Sequence, residues 1–192
     1  KIPHFTANKA TNLGISYRSG SFDLINSSVL LEQKLSENIA LSLNAEYTNA
    51  SGKYRYKITQ ANPKGEIDWQ KTDIRKNGAI EAIRLEGGLF GNIKNGSWKA
   101  KAYYYQSDRG IPGAVVKNIS ERYEHQWDKN FFAQISFNKE WNKKYKLLIN
   151  SKFANDYTHY LNSPPENDTK HIDNTYIRLG ILVYLLIINI IN

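Results

Sequence analysis

The sequence predicts an all-β protein, built as an antiparallel up-and-down meander of about seven strands. Three observations lead to this prediction. In several segments every second residue is apolar, which puts one residue class on each face of a strand because successive side chains point to opposite sides. After the first hairpin, short and long connections alternate between these segments, and aromatic residues lie near the segment ends. Mean hydropathy is −0.58, which argues against a bundle of membrane helices.

Turn-forming residues divide the chain into seven predicted strands. Gly, Asn, Ser and Pro occur at every break, and these residues favour turns. The predicted strands cover 12–18, 22–35, 39–48, 77–91, 97–107, 123–139 and 144–161.

The first two strands form a hairpin with its turn predicted at Ser19–Ser21. The third strand carries apolar residues at every second position, namely Ile39, Leu41, Leu43, Ala45 and Tyr47. The fourth and fifth strands repeat this pattern, with Ile83, Leu85, Gly87 and Leu89, and with Trp98, Ala100, Ala102 and Tyr104. The seventh strand follows a Lys-rich turn and ends before a polar loop.

The sixth strand gives the estimate of strand length. Its apolar parity comprises Trp127, Phe131, Ala133, Ile135, Phe137 and Trp141. The ten steps from Phe131 to Trp141, at ~3.3 Å each and a tilt near ~40°, cover roughly 25 Å along a membrane normal. That is about the height of the apolar band of a membrane β-barrel. Lys139 shares this parity, but near a strand end its ammonium can reach the interface.

The opposite parity of these strands is strongly polar. It includes Glu46, Arg84, Lys99 and Lys101. In a wide barrel these side chains face a hydrated lumen, and in a soluble β-sandwich they face bulk water. The pattern favours the membrane barrel and leaves the sandwich as an alternative.

The connections assign the two ends of the predicted meander. The short turns at Ser36–Asn38, Asn92–Gly96 and Glu140–Lys143 are expected on the periplasmic side. The long loops at 49–76, 108–122 and 163–174 are expected outside, because a meander returns to the same side at every second connection. An open seven-stranded sheet would leave two unpaired edges in lipid, so it must belong to a larger barrel.

Other function classes find little support in the sequence. The net charge is +8, but the cations are scattered and no nucleic-acid recognition motif accompanies them, so no nucleic-acid partner is expected. No GxSxG elbow or assignable catalytic set occurs, so an enzyme is not expected. His4, His125, His159 and His171 show no metal spacing, and we expect no metal and no cofactor.

The last residues of the chain break the pattern. Residues 179–192 begin with the apolar run LGILVYLLIINII, which lacks alternation and is too short for an ordinary membrane helix. A buried strand or helix and a sequence artefact are both open interpretations of this tail. The start at Lys1, without a signal peptide, suggests an interior piece of a longer protein.

Several stretches resemble the barrel of TonB-dependent outer-membrane receptors, especially the vitamin B12 or siderophore receptor-like members of Bacteroidetes. They include YYYQSDRGIPGAVV from Tyr103, QWDKNFFAQISF from Gln126 and SKFANDYTHYL from Ser151. The opening SYRSGSFDLINSSVLLEQKL from Ser16 is similar to the first barrel hairpin, and AEYTNASGKYRYK from Ala45 to the third strand and its outer loop. The resemblance covers about residues 13–162.

The resemblance implies a fold, a function and partners. The fold is a partial transmembrane β-barrel, with about 7 to 8 strands of an expected 22, whose plug domain is absent from this chain. The function is proton-gradient-driven uptake of a large scarce nutrient, such as a siderophore or cobalamin, across the bacterial outer membrane. Partners would be outer-membrane lipids, the TonB complex acting through the plug, and a nutrient ligand such as a metal chelate. A porin-like or adhesin-like barrel without energy coupling is the alternative.

Two sets of candidate functional residues follow. Asp108, Arg109, Gly110, Ile111, Pro112 and Gly113 are expected in an outer loop, either as ligand contacts or as a loop that sets strand geometry. Tyr and Trp suit membrane interfaces because an apolar ring carries a polar tip. The predicted interfacial aromatic girdle comprises Trp98, Tyr104, Trp127, Phe131, Trp141, Tyr145 and Tyr157.

In the second outer loop, Glu66, Asp68 and Asp73 could gather around calcium, but the surrounding cations favour solvated charge.

Overall fold

The computed structural model describes residues 10–113, 124–141, 145–162 and 171–187. These residues form ten β-strands and no helix, so no helical membrane span exists among them. The strands are β1 Thr11–Gly20, β2 Leu24–Lys34, β3 Ile39–Ala50, β4 Arg55–Ala61, β5 Ile67–Ile74, β6 Ile80–Ile93, β7 Gly96–Gly110, β8 His125–Trp141, β9 Tyr145–Leu161 and β10 His171–Ile187.

Eight of the strands form one antiparallel sheet in the order β1-β2-β3-β6-β7-β8-β9-β10. Every neighbour in this sheet is the next strand along the chain, apart from β4 and β5, which pair only with each other. The sheet is open, since β1 and β10 are its two edges. The predicted all-β, antiparallel up-and-down arrangement is therefore confirmed.

All seven predicted strands are present, with ends shifted by three residues or fewer. The apolar tail contributes to an eighth strand, because β10 continues to Ile187 and pairs with β9 along its whole length. The tail is thus a strand as far as Ile187, but the prediction that it is buried was wrong, because Leu179 and Ile181 are 71% and 67% exposed. Residues 188–192 lie outside the described part of the chain. The loop predicted at 163–174 is shorter, since β10 already begins at His171.

The first hairpin turn was predicted two residues too early. Pairing between β1 and β2 continues to Gly20 opposite Leu24, so the turn lies at 21–23. Phe22 and Asp23 have φ of 67° and 57°, a left-handed conformation that is uncommon for side chains larger than Gly. Ser51 compensates for part of this strain, because its backbone N–H donates to the Phe22 carbonyl over 2.9 Å.

The prediction that 49–76 is entirely loop was wrong. Its centre is the β4–β5 hairpin, which closes through a turn in which Asn62 and Glu66 are bonded by both backbone and side chain. Gly65 supplies the positive φ of 83° that this turn needs. Tyr54, just before β4, and Tyr56 and Ile58 within it do alternate with polar residues, but the run is short, and β5 keeps no alternation beyond Trp69, so the hairpin was missed.

After the first hairpin, the connections alternate in length as the sequence predicted. At one end of the sheet β2–β3, β6–β7 and β8–β9 are joined by four residues or fewer, and we term this the short-turn end. The β6–β7 turn needs only Lys94 and Asn95, with Asn95 at a φ of 54°. Residues 142–144 of the predicted Glu140–Lys143 turn lie outside the described residues. The opposite end, which holds 51–79 and 111–124, is termed the long-loop end.

The eight-stranded sheet has one apolar and one polar face. Directly paired residues place the odd-numbered apolar positions of β1, β3, β6, β8 and β9 on a single continuous surface with the even-numbered apolar positions of β7. This surface is exposed, with Ile15 at 74%, Ile135 at 58% and Ile181 at 67% of their full areas. Among the described residues only Ala82, Phe90 and Ala154 are buried apolar residues, and Ser107, Asp128 and Ser136 are buried polar ones. Large apolar side chains are thus exposed and several polar ones are buried, which is the reverse of the usual distribution in a soluble domain.

The apolar region crosses the hydrogen-bonded rows of the sheet obliquely. One row of paired residues runs Tyr17, Ser27, Tyr47, Ile83, Gln106, Lys129 and Tyr157, and it is more apolar toward β1. Another row lies six residues nearer the short-turn end and runs Thr11, Gln33, Leu41, Leu89, Ala100, Ile135, Ser151 and Ile181; it is polar at β1 and mainly apolar from β3 onward. The apolar band therefore moves toward the short-turn end from β1 to β10.

Candidate functional site

The polar face near the long-loop end is organised around Asp128. This carboxylate on β8 is 9% exposed and accepts hydrogen bonds from side chains on three adjacent strands. Thr158 Oγ1 and Gln126 Nε2 each donate over 2.9 Å, and Ser107 Oγ donates over 3.3 Å. The Arg109 guanidinium lies 3.2 Å from the same carboxylate. A buried charge with this many partners is stabilised, and it fixes the register of β7, β8 and β9.

A second group of paired charges lies beside this cluster. Glu46 forms an ion pair with Arg84, which also lies 3.7 Å from Glu86. Asn26 donates to Glu46 over 2.9 Å. Together with the Asp128 cluster, these residues form what we term the paired half of the polar face, in which each carboxylate has a cationic or polar donor beside it, although the Nε atoms of Arg84 and Arg109 are buried without a hydrogen-bond partner.

Toward the short-turn end the polar face changes character. Lys99, Lys101 and Lys152 project on this parity, and none of them forms an ion pair with a carboxylate in the part of the chain that the structure describes. Instead, Lys152 Nζ lies 4.7 Å from the centre of the Phe132 ring, which stacks on Tyr103 at 5.0 Å. We term this region the lysine half.

Two open cavities border the lysine half. The larger, about 430 Å³, lies at the short-turn end and is lined by Lys34, Phe90, Lys99, Asn138 and other residues. The smaller, about 270 Å³, lies above Gly88 and is bounded by Phe90, Lys101, Tyr103 and Phe132 among others. Ligand pockets of small molecules are commonly of this size.

The six candidate ligand contacts do not form one loop site. Asp108, Arg109 and Gly110 were expected in a loop, but they form the end of β7 and pair with β6 and β8. Successive residues of a strand point to opposite faces, so Arg109 reaches Asp128 on the polar face while Asp108 lies on the other. These two side chains therefore cannot contact one small ligand together. Ile111, Pro112 and Gly113 follow the strand, as predicted.

The contacts around residues 108–113 match the interpretation that this segment sets strand geometry. The Asn77 side chain donates to the carbonyls of Ile111 and Glu124 over 3.0 and 2.8 Å. Arg75 donates to the carbonyl of Gly113. A Cβ atom on Gly110 would lie 2.3 Å from Asn77 Oδ1, so a side chain there would displace this junction. The segment thus links the residues just before β6 to the residue just before β8.

The predicted girdle residues lie in five rows of paired residues. Trp141 pairs with Tyr145 at the short-turn end. Trp98 pairs with Phe137, which lies four residues further from that end on β8. Tyr104 pairs with Phe131 nearer the long-loop end. Two more lie in the rows closest to that end: Trp127, opposite His159, and Tyr157, opposite Lys129.

Trp127 is part of a polar and aromatic cluster at the rim. Its indole N–H donates to Asp108 over 2.9 Å, and the His125 ring contacts the same carboxylate. The His159 ring lies 4.9 Å from the Trp127 ring. The ordinary role of such a group is an interfacial one, because an apolar ring and a polar tip suit a boundary between water and lipid.

The acidic residues of the β4–β5 hairpin have partners of their own. Asp73 lies 3.2 Å from Lys71, and the backbone N–H of Ile74 together with this ammonium holds the pKa of Asp73 below its usual value. Glu66 accepts a hydrogen bond from Asn62. Within 10–113, 124–141, 145–162 and 171–187, no group of three His, Cys, Asp or Glu side chains is placed to hold a metal ion.

Sequence reasoning missed both halves of the polar face as sites. The sequence predicted that these residues lie on the polar face of the strands. Which of them contact one another depends on strand register. The one available signal was the proximity of Lys99 and Lys101 to aromatic residues on the same parity, Tyr103 and Tyr105. The sequence was compared with protein-family models and with curated proteins, and neither comparison gave a match.

Proposed function

We propose that this chain is part of the β-barrel of a TonB-dependent outer-membrane receptor in a bacterium. Its apolar face would contact lipid and its polar face would line the lumen. In this role the complete receptor takes up a large scarce nutrient, such as a siderophore or cobalamin, with energy transmitted through a plug domain and the TonB complex. The two-faced sheet supports a barrel, and the sequence resemblance supports the assignment of that barrel to this receptor family.

The observation that carries the membrane assignment is the exposed apolar face. In lipid, exposed Leu, Ile and Phe side chains are in a favourable environment, and the backbone groups between the two edge strands are satisfied by neighbouring strands. In water the same surface would be a large apolar patch without cover. Nothing in the described part of the chain packs on this face as the second sheet of a sandwich would.

The oblique apolar band supports the same assignment. Barrel strands tilt by about 35 to 45° from the membrane normal, so a horizontal lipid layer must cross the hydrogen-bonded rows at an angle. The band's movement toward the short-turn end from β1 to β10 is what such a tilt produces. The open edges at β1 and β10 would then pair with further strands of the complete barrel.

Membrane extraction tests the barrel. The protein should stay with outer membranes through carbonate washing, dissolve in detergent, and migrate faster on a gel when it is not boiled. Recovery as a monodisperse protein in detergent-free buffer would refute the lipid-facing role and favour the soluble sandwich.

A second experiment separates the receptor from a porin-like or adhesin-like barrel. Uptake of defined siderophores and cobalamin is measured in cells that carry or lack the gene, with and without a protonophore. We expect uptake of one ligand class to be lost in cells that lack the gene, and also in cells that carry the gene but are treated with the protonophore. Uptake that persists when the proton gradient is collapsed would contradict energy coupling while leaving the barrel intact.

A further inference from the structure

The apolar face of the sheet carries few charged side chains, and their signs differ between its two ends. Near the long-loop end it holds two carboxylates, Glu81 and Asp108, which pair directly across β6 and β7. Lys129 shares this face and lies two residues from Trp127, the partner of Asp108 on β8. Near the short-turn end, Lys139 is the one charged residue on this face among the described strands. One end of the face is therefore mainly acidic, and the other end is cationic.

The separation of these two lysines relates them to the apolar band. Ten steps along β8, at ~3.3 Å each and a tilt near ~40°, cover roughly 25 Å along a membrane normal, which is about the height of the band of a membrane barrel. The residues of the same parity between the lysines are all apolar, namely Phe131, Ala133, Ile135 and Phe137. In the proposed barrel, Lys139 would therefore lie at the level of the lipid headgroups at the short-turn end.

Two contacts hold the Lys139 ammonium toward that end. It donates to the carbonyl of Lys94 in the β6–β7 turn, and it lies 6.0 Å from the centre of the Trp141 ring. An ammonium has three N–H donors, and no carboxylate in the described part of the chain forms an ion pair with this one. Lys139 thus retains donors and charge for a ligand.

The surface beside this ammonium is accessible. The direct partner of Lys139 on β7 is Gly96, which has no side chain to cover it. A Cβ atom on Gly96 would lie 2.3 Å from the Asn138 carbonyl oxygen, so the close approach of β7 and β8 requires glycine here. Lys94 is exposed in the adjoining turn, and Trp141 is 43% exposed. Two ammonium groups and an indole ring therefore border one open position.

The described carboxylates nearest the short-turn end do not compete for Lys139. Glu140 follows it directly and so lies on the polar face, where it pairs in register with Lys146. Glu37 lines the larger cavity of the polar face together with Lys34. Both carboxylates are thus placed beside lysines of the opposite face.

We propose that Lys139 and Lys94 bind the phosphate of an anionic phospholipid, with Trp141 beside its headgroup. A lipid fits better than a free anion, because Phe137 and Ile135 continue on the same face toward the centre of the band and would contact acyl chains attached to that phosphate. The inference rests on the lipid-facing role proposed above, and it adds the class of headgroup and the end of the barrel at which that headgroup binds.

The test compares the binding of phosphatidylglycerol and phosphatidylcholine to the detergent-solubilised protein by native mass spectrometry. The variant K94Q/K139Q should bind phosphatidylglycerol about tenfold or more weakly, because each lysine near an anionic headgroup contributes about fivefold in affinity. Its affinity for phosphatidylcholine should not change. The matched control K64Q/K129Q removes the same charge from the β4–β5 hairpin and from the acidic end of the apolar face. Its affinity for phosphatidylglycerol should stay within about twofold of the parent value.

Further comparisons separate this inference from the barrel itself. The variant K94R/K139R keeps the charge and should still bind phosphatidylglycerol, which shows that the loss in the Gln variant is not unfolding. Equal parent affinities for the two lipids, or equal losses in the two Gln variants, would overturn the proposal and leave the lipid-facing role intact. Recovery of the protein without detergent, together with binding of neither lipid, would instead overturn the lipid-facing role.

Discussion

The two faces of the eight-stranded sheet obey opposite rules. On the apolar face large side chains such as Ile15 and Ile135 are exposed and have few specific partners. On the polar face, small polar groups such as Ser107 are buried at 1% exposure and belong to defined hydrogen-bond networks. The contrast teaches that this sheet is not stabilised by a hydrophobic core of its own. Specificity resides on the polar face, and the apolar face has no cover within the described part of the chain.

The largest expected effect comes from placing a charge on the apolar face. Leu43 and Asn44 are adjacent residues of β3 that lie on opposite faces. Leu43→Arg should lower the free energy of unfolding in lipid vesicles by about 2 to 4 kcal/mol, since Arg near the bilayer midplane is costly. Asn44→Arg, opposite Glu86, should change it by less than about 0.5 kcal/mol.

Denaturant titration of the vesicle-inserted protein measures both variants. Equal effects of the two substitutions would show that the faces do not differ in environment, which would remove the basis for the lipid assignment.

The second prediction concerns the most connected residue of the polar face. Asp128→Ala removes the acceptor for Thr158, Ser107 and Arg109, and it should cost about 2 to 3 kcal/mol of unfolding free energy because buried donors lose their partner. Asp68→Ala, an exposed site on the β4–β5 hairpin, is the control and should be nearly neutral. If the Asp128 variant were as stable as its control, the network would not organise the polar face.

A smaller effect is expected at the long-loop end. Gly110→Ala brings a methyl group within 2.8 Å of the Asn77 backbone carbonyl oxygen, so the junction must shift. We expect a loss of about 1 to 3 kcal/mol, as is usual for overpacking. Gly180→Ala has no atom within 4 Å of its new Cβ and serves as the matched control. Thermal unfolding of the two variants checks this, and a shift at Gly180 alone would contradict it.

The smallest effect concerns the hairpin that lies outside the sheet. The pKa of Asp73 is lowered, so its contact with Lys71 contributes above the ordinary carboxyl range and is lost as pH falls through the lowered value. Between pH 8 and pH 5 we expect no change in amide exchange of β4 and β5 beyond the intrinsic dependence on pH. Protection should decrease only below about pH 4. Loss of protection already near pH 6 would show that another group controls the hairpin.

Much of the fold could be read from the sequence because strand alternation is a local property. The parity of Phe131, Ala133 and Ile135 predicts a two-faced strand regardless of its neighbours. The β4–β5 hairpin was missed, because the alternation of Tyr54, Tyr56 and Ile58 before and within β4 is short and its partner β5 keeps no alternation beyond Trp69. The candidate site was predictable only as a polar parity, since contacts between β7, β8 and β9 depend on register.

The sequence by itself determined the all-β class, seven of the eight sheet strands and the alternation of connection lengths. Only the tertiary structure decided that Asp108 and Arg109 lie on opposite faces, that Asp128 gathers donors from three strands, and that Lys101 and Lys152 share a row. The physical reason is the range of each interaction. Alternation follows from the geometry of one strand, whereas register and side-chain contacts join residues more than twenty positions apart.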